Sequence, residues 1–371
     1  MLSTTITGTT SSTARGPGAR VRARPVTLAC VGYRGHQGSE YVCAADTLTG
    51  VRLTGLVDPV EGEPPRLRRH APRTFRSIDA LLADHVPDVA LVTVPHGQHY
   101  ETIARLVDAG SHVLVEKPLV PDVASAARLL DIATASGRSI VTLTQRPTRP
   151  EFRYLQRALE LIEEPYWAEW SYSMAFDAPT RGWRSEWSQA RGGVLLDMGY
   201  HALDVLTQVF GTPRVLGASK HFRYAESRSE DLEDLVSASL EFLDGAVGGH
   251  LFVARHAREK REVLEVHGTR GVASVDVRGA RVDVHAADGT LLDRYQGPAR
   301  CTDSPAVVLS AYLDLAARPE RAAEHLRHHL AVVRSCEEIY RAAAHAGPTG
   351  LRGAARSEHH RPDAPEETTT R

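Results

Sequence analysis

Short apolar runs alternate with amphipathic stretches from residue 26 to about 146, and the alternation then stops. Val26-Thr27-Leu28-Ala29-Cys30-Val31 has the length and bulk of a buried strand. A turn follows, Gly32-Tyr33-Arg34-Gly35-His36-Gln37-Gly38, then a helical stretch to about Leu48. Val51 to Val57 is a second strand, ending at Asp58. Ser77 is placed to cap a short helix through Leu82. Asp88 to Val94 reads as a strand broken by Pro95, and a helix runs from about Gln98 to Asp108. His112-Val113-Leu114-Val115 leads into Glu116-Lys117-Pro118, a helix from about Asp122 to Ser136, and a strand from Ser139 to Thr144. Strands and helices at this interval predict a parallel, doubly wound sheet. Ligands of such sheets sit beyond the carboxyl ends of the strands. Asp58, Pro95, His96, Glu116 and Lys117 all fall there.

Beyond Pro147 the pattern changes class. A helix (Glu151 to Glu163), a strand near Trp170 to Phe176 and a loop with Trp183 and Trp187 lead to Gly192-Gly193 and an apolar helix ending near Phe210-Gly211. Val236, Ala238, Leu240 and Phe242 then alternate inward and turn at Asp244-Gly245, opening an antiparallel meander that runs to Tyr295. Leu326, Leu330, Val333 and Tyr340 share one face of a late helix. The expected organisation is an α/β domain with a doubly wound parallel sheet over 26–146, followed by an α+β domain with a mainly antiparallel sheet over 147–346. Residues 1–25 and 347–371 are polar and rich in Ser, Gly, Pro or Arg, and are expected to be disordered tails.

Composition narrows the function. A net charge of −2 on 371 residues offers no electrostatic footprint for nucleic acid or an anionic membrane. No run approaches the roughly 18 apolar residues of a membrane span. Residues 1–25 lack a secretory apolar region; their Ser/Arg bias is shared with organellar transit peptides, and a disordered tail or a start codon placed too early is the preferred reading. Cys30, Cys43, Cys301 and Cys336 show no close pairing, so reduced thiols of a cytoplasmic protein are expected. Of 44 cationic residues only Lys117, Lys220 and Lys260 are lysine. A lysine kept in so arginine-rich a chain points to its compact, titratable ammonium, although Lys220 and Lys260 have no evident role.

Two stretches carry candidate chemistry. A strand, a glycine turn and a helix place backbone amides against a pyrophosphate, and an acid at the tip of the next strand accepts bonds from the adenine ribose. Asp58 is 26 residues after Gly32, against a usual spacing of about 20. The glycines read G-x-x-G-x-x-G instead of G-x-G-x-x-G, with Arg34 and Gln37 where glycines are usual; either the turn is one residue longer or only Gly32 keeps its role. In the second stretch Asp197, His201 and Asp204 are spaced to share a helix face, so that a carboxylate can orient an imidazole that moves protons. An amphipathic helix with its wet side outward has the same spacing. No spacing along the chain suits a metal site.

The order of these parts resembles the glucose-fructose oxidoreductase / inositol 2-dehydrogenase family, often called Gfo/Idh/MocA. The resemblance rests on the turn at 26–38, on Val94-Pro95-His96-Gly97-Gln98-His99 where the family often has T-P-N-x-x-H, and on Glu116-Lys117-Pro118. It extends through Gly192-Gly193, Asp197, His201 and Asp204, where the family has G-G-G-x-x-x-D-x-G-x-H-x-x-D. It implies a Rossmann domain over 26–146 with a nicotinamide cofactor, a substrate-binding and oligomerisation domain over 147–346 whose open antiparallel sheet serves self-association as a homodimer or homotetramer, and hydride transfer at a sugar, aminosugar or cyclitol carbon. Carried over, Lys117, Asp197 and His201 surround the reacting oxygen. Gly32, Tyr33, Arg34, Gly35, Gly38, Asp58, Pro95, His96, His99, Glu116 and Lys117 face the cofactor, with His96 standing in for the usual Asn and His99 equally readable as a surface residue. Trp183 and Arg184 line the sugar pocket or anchor their loop. Asp58 favours NAD over NADP, since a carboxylate repels a 2′-phosphate. Two rival readings are a ketoreductase acting on a nucleotide-linked deoxysugar and a non-catalytic dinucleotide sensor with the same fold.

Overall fold

The computed structural model describes residues 24–298 and 304–345. The two expected tails, apart from the residues next to the folded part, and Cys301 lie outside the described residues. Six strands form a parallel sheet: β1 (Val26–Val31), β2 (Val51–Val57), β3 (Arg73–Phe75), β4 (Val89–Val92), β5 (His112–Glu116) and β6 (Ile140–Leu143), in the order β3-β2-β1-β4-β5-β6. Helices α1 (His36–Ala45), α2 (Ile78–Asp84), α3 (His99–Asp108) and α4 (Val123–Ser136) connect them. Ser77 and Asp122 cap α2 and α4 by accepting from the amides of Ala80 and Ser125.

Successive side chains of a strand point to opposite faces. Leu28 and Cys30 therefore join one apolar layer, Ala29 and Val31 the other. Both faces are covered, which explains why these strands read as continuous apolar runs. One cover was not legible beforehand. After the second domain the chain returns as α9 (Pro305–Ala316), whose Val308, Leu309 and Tyr312 pack with Leu28, Cys30 and Tyr41 on the first sheet.

The second sheet has eight strands: β7 (Pro165–Ala175), β8 (Arg214–His221), β9 (Leu235–Phe242), β10 (Val247–Ala254), β11 (His256–Gly268), β12 (Gly271–Asp276), β13 (Arg281–Ala286) and β14 (Leu291–Gln296). Their order is β14-β13-β12-β11-β7-β10-β9-β8, antiparallel except for the β7–β10 pair. The predicted inward set Val236, Ala238, Leu240 and Phe242 is buried. It packs with α7 (Tyr200–Phe210), within one core that also takes in residues of α5 (Pro150–Ile162) and the long α10 (Pro319–His345). Short helices α6 (Trp187–Ala190) and α8 (Ala225–Ser229) complete the connections. No helix among the described residues is long and apolar enough to cross a membrane.

Just before α7 the chain makes one π turn, Leu195–Gly199. Such turns interrupt α-helical phase and recur at functional sites. Here the expected single polar stripe is divided. Asp197 turns to the first domain, while Asp204 faces α10 and pairs with His328.

Candidate active site

The first strand–helix turn has the steric form of a phosphate cradle. Gly32 has φ +87°, and a Cβ there would lie 2.9 Å from the Thr93 carbonyl. A Cβ on Gly38 would come within 2.4 Å of the Gly32 carbonyl oxygen. Gly35 has ordinary room, so the two indispensable glycines are six residues apart, one more than in G-x-G-x-x-G. The longer turn accounts for the irregular glycine spacing. Gly35 caps α1 without any side-chain bond and no acid occupies the first turn, which leaves its N-terminal amides for an anion. Asp58 closes the far side, its carboxylate accepting from the amides of Arg34 (3.2 Å) and Val60 (3.0 Å). These residues fit a dinucleotide: glycines that let its pyrophosphate approach, free helix amides and a carboxylate in reach of a ribose.

A cavity of about 530 Å³ begins at Gly35 and His36 and runs between the two domains. It is lined by Glu116, Lys117, Trp183, Arg184, Asp197 and His201, together with His96 and His99. Gly32, Tyr33, Arg34, Gly38, Asp58 and Pro95 do not line it; they form the turn and strand ends beside it.

Glu116 is buried at the end of β5 and accepts from Tyr41 Oη (3.0 Å), Gln145 Nε2 (3.3 Å) and the Lys117 amide (3.0 Å). Burial raises its carboxyl above the ordinary range. This set braces the backbone of Lys117, whose peptide to Pro118 is cis. The Lys117 ammonium crosses the cavity to Asp197, reaching the backbone oxygen at 2.5 Å and Oδ1 at 3.2 Å.

Asp197 is the charged hub. Besides Lys117 it receives Arg184 Nε at 3.4 Å and Arg255 Nη2 at 3.1 Å. Burial opposes its ionisation, but Lys117, Arg184 and Arg255 outweigh burial and hold the carboxyl well below the usual range. No hydrogen bond joins Asp197 to His201 among the described side chains; the expected orienting pair is replaced by a carboxylate shared among three cations. Arg255, the residue after β10, is almost fully buried and had no signal in the sequence. Neither had the buried two-pronged pair of Arg146 and Glu262, with Nε–Oε1 at 2.9 Å and Nη2–Oε2 at 2.7 Å. Arg146 lines the cavity from the junction between the domains.

His201 is buried in the cavity wall, and its Nδ1 has no hydrogen-bond partner. Burial, then Arg146 and Lys117, push its ionisation well below the usual histidine value, while Asp197 pulls the other way. It is therefore neutral at pH 7, more firmly than an ordinary histidine poised near neutrality. His99 sits between two carbonyls, with Nδ1 2.8 Å from Pro118 O and Nε2 3.0 Å from Val94 O, and as a neutral ring donates to one of them. No nitrogen remains for a cofactor, and the ring staples the ends of β4 and β5. His96 Nδ1 meets the Ala190 carbonyl at 3.0 Å, and its ring stands edge-on to Trp183 with centroids 4.7 Å apart. Arg184 lies over the other ring system of this group, 4.2 Å from the Trp183 centroid.

The fold and cavity define a two-domain protein with a dinucleotide cradle on the first domain and a polar pocket roofed by the second. Residues 26–143 match the family described as "Oxidoreductase family, NAD-binding Rossmann fold", and residues 153–274 match the "GFO/IDH/MocA C-terminal domain". The chain belongs to the Gfo/Idh/MocA oxidoreductase family, and its first domain is the NAD-binding Rossmann domain of that family. Among curated relatives, 1,5-anhydro-D-fructose reductase of Ensifer adhaerens is 28% identical over 54% of this chain and 60% of its own. D-xylose 1-dehydrogenase (NADP+) of Haloferax volcanii is 24% identical over 73% of this chain and 83% of its own. The chain spans 40–61% of the length of the first three curated relatives. Among solved structures, a 3-ketoreductase from Actinomadura kijaniata in complex with NADP and TDP-benzene shares the fold, with TM-score 0.74 and 20% identity over 86% of this chain and 98% of that one.

Proposed function

We propose that this protein transfers hydride between a nicotinamide and a secondary alcohol or ketone carbon of a sugar, aminosugar or cyclitol. The observation that carries the reading is the Lys117–Asp197 contact across a cavity also lined by His201 and reaching the glycine turn. The curated relatives named for sugars support the substrate class. The nicotinamide accepts or supplies the hydride. In the oxidative direction neutral His201 takes the hydroxyl proton. The Lys117 ammonium steadies the negative charge that develops on the same oxygen, and Asp197 holds the ammonium in place. Asp58, Gly32, Gly38 and the α1 amides hold the dinucleotide; Trp183 and Arg184 wall the sugar. Residues 26–146 thus carry the cofactor and 147–346 the substrate. The exposed Trp167 on the outward side of β7 suits self-association through the second sheet, as a dimer or tetramer.

Retention of Lys117, Asp197 and His201 together argues against a mere dinucleotide sensor. The deciding experiment follows nicotinamide absorbance with a panel of polyols, aldoses, ketoses and nucleotide-linked ketosugars. Turnover with a free sugar or cyclitol supports the reading. Turnover with nucleotide-linked ketosugars alone transfers it to the ketoreductase class, and cofactor binding without turnover on any member overturns it.

A further inference from the structure

Behind the cavity wall, Asp204 of α7 faces three histidines of α10: His325, His328 and His329. One ligand-type atom from each of Asp204, His328 and His329 lies within 4.8 Å of the other two. None of the three lines the cavity, so this cluster is separate from the candidate active site. Asp204 is 2% and His329 0% exposed, and each has an unsatisfied polar atom: Asp204 Oδ2 and His329 Nε2. A buried donor or acceptor without a partner costs about 1–3 kcal/mol. Two in one cluster call for a water or an ion.

We propose that Asp204, His328 and His329 form a binding site for one divalent transition cation of the zinc type. Two imidazoles and one carboxylate are the donor set such ions take. Tyr200 Oη lies 3.0 Å from His329 Nδ1 and 3.3 Å from the Leu119 amide. In the tautomer that carries its proton on Nδ1, His329 donates to that oxygen and presents the lone pair of Nε2, the unsatisfied atom, to an ion. Metal-bound histidines are held in this way, by donating the other ring N–H to a fixed acceptor. His328 Nε2 now sits 2.7 Å from Asp204 Oδ1. Ligands about 2.0–2.2 Å from one ion lie closer together than 4.8 Å, so binding requires the three side chains to readjust around it. His325 is not recruited, because its Nε2 is held 3.0 Å from the Thr142 carbonyl of β6. The ion would clamp α10 to α7 directly behind Tyr200 and His201, a structural and not a catalytic post. Asp204 and His328 are 124 residues apart, which is why no local spacing announced the site.

The test uses the full chain, stripped with chelator and dialysed against Zn²⁺, with Co²⁺ as a spectroscopic probe. The expected result is one equivalent bound, a Co²⁺ spectrum with imidazole ligation, and a higher Tm with Zn²⁺. His328→Gln and His329→Gln, which keep polar side chains in place, are each expected to weaken binding at least tenfold and abolish the Tm increase. Wild-type protein that takes up no ion, or binding that both variants retain unchanged, overturns the proposal. If either variant fails to fold, the Co²⁺ spectrum of the wild type decides: two imidazole nitrogens support the site, and fewer than two refute it.

Discussion

The ammonium of Lys117 contacts Asp197 twice, at the backbone oxygen (2.5 Å) and at Oδ1 (3.2 Å), and so ties the end of β5 to the π turn ahead of α7. The contact bridges 80 residues of sequence and joins the two domains at the cavity floor. A guanidinium is longer, planar and forked, and cannot make both contacts from the same backbone position. Lys117→Arg is therefore expected to lower kcat by about 10²–10³-fold, the scale of losing one charge-stabilising donor, with NAD affinity little changed. Steady-state kinetics and a separate cofactor titration check this; a near wild-type kcat would show that any cation suffices.

Asp58 is held by two backbone amides at the tip of β2, facing the glycine turn. NAD is expected to bind at least about tenfold more tightly than NADP, roughly 1.4 kcal/mol. Asp58→Ser keeps a small hydrogen-bonding group and removes the charge, so it should narrow the gap. Fluorescence titration with both cofactors measures it, and equal wild-type affinities contradict the assignment.

The Rossmann half was legible in sequence because its signals are local: β1, the turn, α1 and Asp58 follow one another, and so do Glu116, Lys117 and Pro118. The hairpin alternation from Val236 onward was legible for the same reason. What could not be read is what only tertiary folding brings together. Arg255 and Arg146 sit in the meander and at the domain junction, with no spacing that relates either to Asp197 or His201. The short β3, the edge strand β8 and the returning α9 lack strong periodicity of their own. Asp197, His201 and Asp204 had the spacing of one helical face, but the π turn redirects Asp197 to Lys117 and leaves Asp204 to His328.

Arg146 and Glu262 pair inside the protein, with side chains 8% and 5% exposed. Removing one member of such a pair takes from the other the counter-charge it meets at two points inside the protein. Glu262→Gln is expected to cost about 3–5 kcal/mol of stability, whereas replacing both members by apolar residues of similar volume should cost far less. Urea unfolding of the single and double variants checks this.

Several buried histidines are held neutral by the fold. Burial is the largest cause for His96, His99, His201 and His325, and brings His325 down to about 4. A histidine whose ionisation is depressed in the folded state binds its proton more readily when unfolded. Its contribution is complete above the unfolded value, about 6.5, and is lost as pH falls from there through the folded value. Stability should therefore be flat from pH 8 to 7 and fall steadily from about 6.5 to 4. Urea midpoints measured across that range test the sign; a midpoint that rises on acidification would contradict it.

The proton path through His201 makes the last prediction, because two neighbours act on the ring in opposite senses. His201 accepts a proton only when neutral, so the acid limb of kcat/KM in the oxidative direction reports its ionisation in the free enzyme. Burial first, then Arg146 and Lys117, depress that ionisation, and Asp197 partly restores it. The wild-type limb should therefore lie below the ordinary histidine value of about 6.5. Arg146→Gln, made together with Glu262→Gln so that no lone carboxylate is left buried, removes a nearby cation. The limb should then move to higher pH. Asp197→Asn removes the anion that pulls the ring toward ionisation, so the limb should move to lower pH, and kcat should fall as well because Lys117 loses its anchor. His201→Ala should abolish the limb and lower kcat by about 10²–10⁴-fold while NAD binding survives. Shifts in the same direction for the two charge variants would remove His201 from the proton path. So would a His201→Ala enzyme with an unaltered acid limb, and Lys117 would then become the leading base.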